Sequence, residues 1–370
     1  MKIQLNKKTE KKILIHDYFQ NYGGGERLID ILAENFDKLI HGFDENIINK
    51  LFVNKINNLS LIKKKYPTFI KKIFTIISFY FLKISNCTVC LCSGNYALLT
   101  DVSNARTKIF YCHSLPKIFF SYNDFYKKNI IYFILLKIIK KFFLKLYLKK
   151  INQFDFIVAN SKYTKHKISK IVDKKIFVIY PPINKRLFDK TKYKDFYLSN
   201  SRHEKEKQIE KIIYAFKKMP EKNLIITSMG TLTKKLKQIT SNAENIKFIG
   251  IVKNTKYQYL LNNCLGVINI SKNEDFGMAA VEGMAHGKIT FCLNEGGYKE
   301  TTVNKYNAIY IDKKNTVKDL VKKIIYYDIT KLIKLKKNCL KTAKQFDSKK
   351  FKKEILNLIK NHEKQFFNLS

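Results

Sequence analysis

Short apolar runs alternate along this chain with longer stretches whose apolar residues recur three and four positions apart. That is the pattern of repeated β-α-β units feeding a parallel sheet. K-I-L-I-H-D-Y reads as a first strand, Gly23-Gly24-Gly25 as its exit loop, and Glu26 to Phe36 as a helix with its apolar face at Leu28, Ile29, Ile31 and Leu32. T-V-C-L-C-S, K-I-F-Y-C-H and F-D-F-I-V-A-N-S read as further buried strands, and 61–84 and 125–150 as basic amphipathic helices. Tyr180-Pro181-Pro182 then breaks the chain with a stiff joint. Beyond it the alternation restarts, with strands in F-Y-L-S-N-S, N-L-I-I-T-S-M-G, I-K-F-I-G-I-V, G-V-I-N-I-S, K-I-T-F-C-L and A-I-Y-I-D, and helices over Gln208–Met219 and Met278–His286.

This pattern predicts an α/β chain of two nucleotide-binding-type domains, 1–184 and 185–345, with a helix over 346–370 returning to the first. The two are expected to face across a cleft, with ligands at the carboxyl ends of the strands. A length of 370 residues suits two cores better than one.

Composition changes the picture in three respects. The formal net charge of +41 suits polyanionic partners, yet a chain this rich in Lys, Ile, Asn and Phe is also what low-G+C coding produces, so charge alone assigns no partner. The basic residues number 71, but the arginines are only Arg27, Arg106, Arg186 and Arg202, which singles them out where a planar, bidentate fork is needed. Seven scattered cysteines, an odd number, argue against a disulfide framework; Cys87, Cys90 and Cys92 read as a buried strand, and no metal site is expected. A reducing cytoplasm fits. Lys2, Lys7 and Lys8 precede a strand-like segment, Lys12–Phe19, so no signal peptide is expected. The apolar runs Ile73–Leu82 and Ile130–Leu136 fall far short of the ~20 residues that span a bilayer.

The sharpest chemical signal is Glu274-Asp-Phe-Gly-Met-Ala-Ala-Val-Glu282-Gly-Met-Ala, which follows a strand and passes into a helix. Amides near Gly277–Ala279 at a helix start suit a phosphate. Glu274 at the loop tip can accept hydrogen bonds from sugar hydroxyls, and Glu282 can bind a ribose diol. An acidic first turn that merely stabilises its own helix dipole explains the same residues equally well.

This segment resembles the glutamate pair of retaining glycosyltransferase family four, often called group 1. Its nearest likeness there is to bacterial mannosyltransferases of polysaccharide and O-antigen assembly. H-D-Y-F-Q-N-Y-G-G-G-E-R, Y-C-H-S-L-P at 111–116, A-N-S-K-Y-T at 159–164, Y-P-P-I-N at 180–184 and S-R-H-E-K-E-K are similar to motifs of that family and occur in its order, from residue 12 to about 310.

The resemblance implies a GT-B fold of two Rossmann-like domains and metal-independent transfer of a hexose from a nucleotide sugar, GDP-mannose favoured and UDP-sugars the alternative. The acceptor would be a glycan or lipid-linked molecule, and no cofactor is called for. It assigns Arg202 and Lys207 to the donor diphosphate and Gly23 and Gly24 to the loop over the phosphates. Phe276, Gly277, Met278 and Glu282 join them as donor-binding residues, and His113 and Glu274 are placed at the reacting sugar. Asp17 lies in the first motif without an assigned role. S-M-G-T at 228–231, Gly25 in place of a small alanine, and Ser114-Leu115 depart from the family pattern.

Two other classes compete. A nucleic-acid-binding protein would need a recognisable module, and none is found. A scaffold without activity would tolerate loss of Arg202, Lys207 or the glutamate pair, and all are present. Finally, Lys137, Lys141, Lys145 and Lys149, with Lys140 beside them, recur among Ile138, Ile139, Phe142, Phe143, Leu144, Leu146 and Leu148. This basic stripe beside an apolar face predicts a helix packed in part on the N-terminal sheet, its lysines presented to the anionic inner face of a membrane in peripheral attachment, with residues 61–84 as the alternative contact.

Overall fold

The computed structural model describes residues 2–3, 12–20, 23–51, 55–116, 130–183 and 192–367. The chain divides into two compact units, Met1–Pro182 with Lys349–Ser370, and Ile183–Ser348. Asn21, Tyr22, Asn184 and Arg186, and the start of the helix expected from 125, lie outside the described residues.

The first unit is built on a seven-stranded parallel sheet. Its strands are β1 (Lys12–His16), β2 (Lys38–His41), β3 (Asn57–Ser60), β4 (Cys87–Ser93), β5 (Ala105–Cys112), β6 (Phe156–Ala159) and β7 (Ile176–Val178). They run in the order β3-β2-β1-β4-β5-β6-β7, so the winding reverses between β1 and β4. Successive side chains enter opposite layers: Ile13, Ile15, Cys90 and Cys92 pack into one, Leu14, Val89 and Leu91 into the other. The cysteine-rich run is therefore a strand buried on both faces, and all seven cysteines are buried and outside any disulfide.

Among the described residues five helices cover this sheet: α1 (Gly24–Leu32), α2 (Thr68–Phe81), α3 (Ile130–Ile151), α4 (Lys162–Ile168) and, from the C-terminus, the helix Ser348–Phe367. Phe79 and Leu82 at the end of α2, Tyr147 and Ile151 of α3, and Ile168 of α4 close one layer. Leu28, Ile29 and Leu32 of α1 close the other together with Phe351, Ile355 and Ile359 of the helix Ser348–Phe367, whose four-residue spacing presents one face. Each such fully buried side chain contributes about 1.5–3 kcal/mol of transfer free energy.

Two departures from the sequence pattern have local causes. α1 starts at Gly24 rather than Glu26, because the Glu26 carboxylate reaches back to accept a hydrogen bond from the Gly23 N–H at 3.0 Å. β3 reads Asn-Asn-Leu-Ser, with no apolar alternation; pairing of Asn57 opposite Lys38 holds it as an edge strand.

The second unit repeats the plan with six parallel strands: β8 (Tyr197–Ser199), β9 (Leu224–Thr227), β10 (Ile246–Gly250), β11 (Gly266–Asn269), β12 (Ile289–Leu293) and β13 (Ala308–Ile311). Their order is β10-β9-β8-β11-β12-β13, again reversing after the first strand. α5 (Ile209–Phe216) buries Ile209, Ile212, Ile213 and Phe216. Further on come α6 (Thr233–Gln238), α7 (Asn254–Asn263) and α8 (Met278–Ala285). Among the described residues no helix is long and apolar enough to cross a membrane.

Candidate functional site

The residues singled out from the sequence fall into two sets, one in each unit, and both lie where strands end at the reversal of winding.

In the first unit, β1 ends in His16, β4 in Ser93, and β5 runs into His113. The His16 Nδ1 lies 3.2 Å from the Ser93 carbonyl, which only accepts, so that nitrogen carries the proton. The Ser93 hydroxyl and His113 Nε2 share a hydrogen bond of 2.8 Å. The set is satisfied when Ser93 donates, which leaves the His113 proton on Nδ1. Burial holds both rings neutral, lowering His16 to about 3, with the neighbouring His113 adding to the effect, and His113 to about 4. Asn160, in A-N-S-K-Y-T, fixes His113 by donating to its carbonyl at 2.7 Å, and the next residue, Ser161, caps α4 through the Thr164 amide. Gly23 is the N-cap of α1 and Gly24 its first residue, so the glycine run is a helix start rather than a free loop. At Gly25 a Cβ would stand 3.4 Å from the His16 ring and 3.6 Å from His113, ordinary contact distances, so the departure from alanine leaves the pocket intact.

Asp17 acquires a role that the sequence left open. Its carboxylate accepts hydrogen bonds from the amides of Asn95 (3.0 Å), Tyr96 (2.8 Å) and Ala97 (2.8 Å). Asn95 in turn donates to the Ser114 carbonyl at 3.1 Å, beside His113. Asp17 thus ties together the exits of β1, β4 and β5. The clamp needs a glycine at 94, where φ is +106° and a Cβ would lie 2.4 Å from the carboxylate. Burial raises the Asp17 carboxyl to about 7 against the pull of the three amides.

In the second unit, S-R-H-E-K-E-K is pinned residue by residue. Ser201 donates to Asn269 at the end of β11 (2.9 Å). His203 bridges Thr233 and the Thr227 carbonyl, and Glu204 accepts from the amide and hydroxyl of Thr231. The S-M-G-T turn therefore serves as the buttress of this motif. Gln208, at φ +52°, donates to the Ile270 carbonyl at 2.6 Å. These anchors deliver Lys207 to Glu274, with Nζ and Oε2 2.6 Å apart and both side chains 17% exposed. Glu274 is thus not the exposed loop tip expected from the sequence: its carboxylate is half-buried against a cation that lies 67 residues earlier, and Gly297 donates to its carbonyl at 2.7 Å.

The helix that follows, α8, opens without a side-chain cap on Gly277, whose φ of +93° and packing under the Tyr298 ring leave no room for a Cβ. Phe276 is buried and meets Phe346 edge-on, so only its backbone remains for a ligand, whereas Met278 is half-buried. Arg202 is exposed, and among the described residues no side chain pairs with its guanidinium. Glu282 stands apart from the Lys207–Glu274 pair. It accepts from the Tyr257 hydroxyl, which itself accepts from Asn200 at 2.8 Å. Asn200, Tyr257, His16 and Ser93 are candidate site residues that sequence reasoning passed over; of these only His16 carried a signal, its place in the first motif beside Asp17, which the sequence singled out without a role. Among the described residues no group of three or more His, Cys, Asp and Glu side chains is placed to hold a metal ion.

Two successive sheets of this order with charged residues at the second reversal define a class, and the comparisons with known proteins agree. The fold is that of the GT-B glycosyltransferases. The structure of HepE from Anabaena in complex with UDP-glucose superimposes with a TM-score of 0.74 at 17% identity, covering 95% of this chain and 100% of that one. Sucrose-phosphate synthase from Thermosynechococcus elongatus gives 0.73 at 13% identity over 98% and 100%.

Residues 183–346 match the family model described as glycosyl transferases group 1, so the match covers the second unit. An uncharacterized glycosyltransferase of Methanocaldococcus jannaschii is 29% identical over 199 residues, 53% of this chain and 55% of that protein. The alpha-1,3/1,6-mannosyltransferase of Dictyostelium discoideum is 25% identical over 260 residues, 57% and 60% of the two chains. The chain spans about half to three-fifths of the length of these curated relatives.

Proposed function

We propose that the protein is a retaining, metal-independent glycosyltransferase that moves a hexose from a nucleotide sugar to a glycan or lipid-linked acceptor, working peripherally at the cytoplasmic face of a membrane. The observation that carries this reading is the Lys207–Glu274 pair beside the uncapped start of α8, with the free fork of Arg202 on the same motif. A diphosphate draws Lys207 and Arg202 to itself, and the amides of α8 add donors to the same oxygens. The cation pair then takes the place of a metal, neutralising charge as the bond from C1 to phosphate breaks. Once Lys207 turns to the diphosphate, the Glu274 carboxylate can accept from sugar hydroxyls. Glu282, which accepts from the Tyr257 hydroxyl, is the residue we assign to the ribose diol.

Mannose is the favoured sugar, on the resemblance of the motifs and on the mannosyltransferase relative; the UDP-glucose complex of HepE keeps a UDP-sugar as the rival donor. A thermal-shift panel holding both GDP-mannose and UDP-glucose tests the reading, because a donor at 100 times its dissociation constant adds ~2.7 kcal/mol. A flat response to every nucleoside diphosphate and nucleotide sugar would sink it.

A further inference from the structure

α2 buries little of itself. Of its residues only Thr75 and Phe79 are buried, while Phe69 is 73% exposed and Phe81 65%, with Ile73, Phe74, Ile77 and Tyr80 exposed between them. At 3.6 residues per turn these six side chains fall within an arc of about 140°. The lysines of the helix itself lie on the other side: Lys71 pairs with Glu45 at 2.8 Å, and Lys72 stacks over Tyr18. An apolar stripe of this size on a surface calls for an occupant.

The surrounding charge identifies it. Exposed Lys63, Lys64 and Lys65 precede the helix, and no acidic residue occurs from 61 to 84. The neighbouring element is α3, whose Lys150 sits 5.6 Å over the Tyr80 ring. Its second half adds exposed Lys141, Lys145 and Lys149 and a Phe142 that is 68% exposed, and 130–151 likewise holds no acidic residue. Lys137 and Lys140 lie outside the described side chains. A second copy of the chain is disfavoured as occupant, since a symmetric contact would bring these lysines against one another.

We infer that α2, flanked by Lys63–Lys65 and the end of α3, is the surface by which this protein seats on an anionic lipid bilayer, with Phe69, Ile73, Ile77 and Phe81 entering the headgroup–acyl boundary and the lysines meeting phosphates. This moves the principal contact from the lysine stripe of α3, expected from the sequence, to the apolar face of α2. It rests on the peripheral placement proposed above and is independent of the transfer chemistry. Apolar burial and lysine attraction act together in such a helix, and only the second is screened by salt.

The test is co-sedimentation of the full chain with vesicles of phosphatidylcholine alone or mixed with phosphatidylglycerol, at low and high salt. It is run on the native protein, Phe69→Ser with Phe81→Ser, and Lys141, Lys145 and Lys149 changed together to Gln. Thermal unfolding and the nucleotide-induced thermal shift are read in parallel, so a variant that fails to fold is recognised. The two phenylalanines and the three lysines are all exposed, and both variants should keep the native melting curve. Binding to the anionic vesicles that falls about tenfold or more in the phenylalanine variant, and less in the lysine variant, is the expected result. Loss in the lysine variant with binding retained by Phe69→Ser/Phe81→Ser overturns the assignment to α2 while leaving peripheral placement standing. Absence of vesicle binding by the native chain overturns both. A native dimer in light scattering that the phenylalanine variant dissolves, without vesicle binding, gives the face to a second copy and also overturns the inference. The nucleotide shift, unchanged in every case, keeps these outcomes apart from failure of the transferase reading.

Discussion

The two sheets reverse their winding at the same step, after the first strand, yet the chemistry at the two reversals is opposite in kind. In the first unit the strand ends carry His16, Ser93 and His113, rings that burial keeps neutral, and a carboxyl, Asp17, that burial pushes up to about 7. In the second they carry Lys207, Glu274 and Arg202, charges kept near solvent and matched to each other or left open. One plan thus presents a neutral, hydrogen-bonding surface in one copy and an ionic one in the other. Desolvation makes the first set: rings sealed behind packed loops are held neutral, whereas the second set is built on a salt bridge.

The largest effect should come from Glu274→Ala. We expect transfer to fall by about 10²–10³-fold. Since the carboxylate is paired and not free, the fold should also lose about 1–3 kcal/mol. Urea unfolding with a double-mutant cycle against Lys207→Met reads the coupling; additive single effects would mean that the pair carries no interaction energy.

Arg202→Lys keeps the charge but not the fork, and calorimetry should show binding of the nucleoside diphosphate weakened by about 1–3 kcal/mol. Unchanged affinity would remove Arg202 from the ionic set.

In the neutral set, Gly94→Ala drives a methyl into the Asp17 carboxylate at positive φ, and a loss of roughly 1–3 kcal/mol is expected. A melting temperature equal to that of the native chain would refute the clamp.

The pH response sharpens the comparison further. His16, His41 and His113 have folded values depressed by burial to about 3, 4 and 4, so between pH 6.5 and about 4 the unfolded chain binds protons that the fold refuses. Stability therefore falls as pH falls, by up to about 1.4 kcal/mol per pH unit for each ring. Asp17 works the other way. Raised to about 7, its contribution is complete below the unfolded value of 3.8 and is lost as pH rises through 7. Asp17→Asn removes this opposing contribution and should steepen the loss of stability from pH 6.5 to 5, measured by urea unfolding at each pH; parallel slopes would contradict the buried, protonated carboxyl.

The smallest effect should be a gain. Gly25→Ala sits in the first turn of α1 with ordinary contact distances to both rings, and should stabilise by about 0.4–1 kcal/mol. A loss instead would mean that the histidine pocket is tighter than its distances imply.

Much of this was legible before any coordinates. β4, β5, β11 and β12 are apolar runs that can only be interior strands, and the glycine of E-D-F-G-M marks a strand-to-helix turn. β3 was not legible, because its polar residues owe their extended state to a neighbour's hydrogen bonds. The clamp on Asp17 was not legible either, since its partners are backbone amides 78–80 residues away, and any residue supplies an amide. The family resemblance selected Lys207 and Glu274 separately; that they hold one another, half-buried, came from the three side chains that anchor S-R-H-E-K-E-K to its sheet.

By itself, then, the sequence determined the period of its elements, the class of its fold and the residue types available at each strand end, because hydrophobic spacing and glycine placement are local properties of a chain. Tertiary structure alone decided which of those residues are charged, which are paired and which face solvent. Charge state depends on desolvation and on partners brought together by folding, and for this chain that set the neutral histidines of one unit against the ion pair of the other and left the apolar face of α2 exposed.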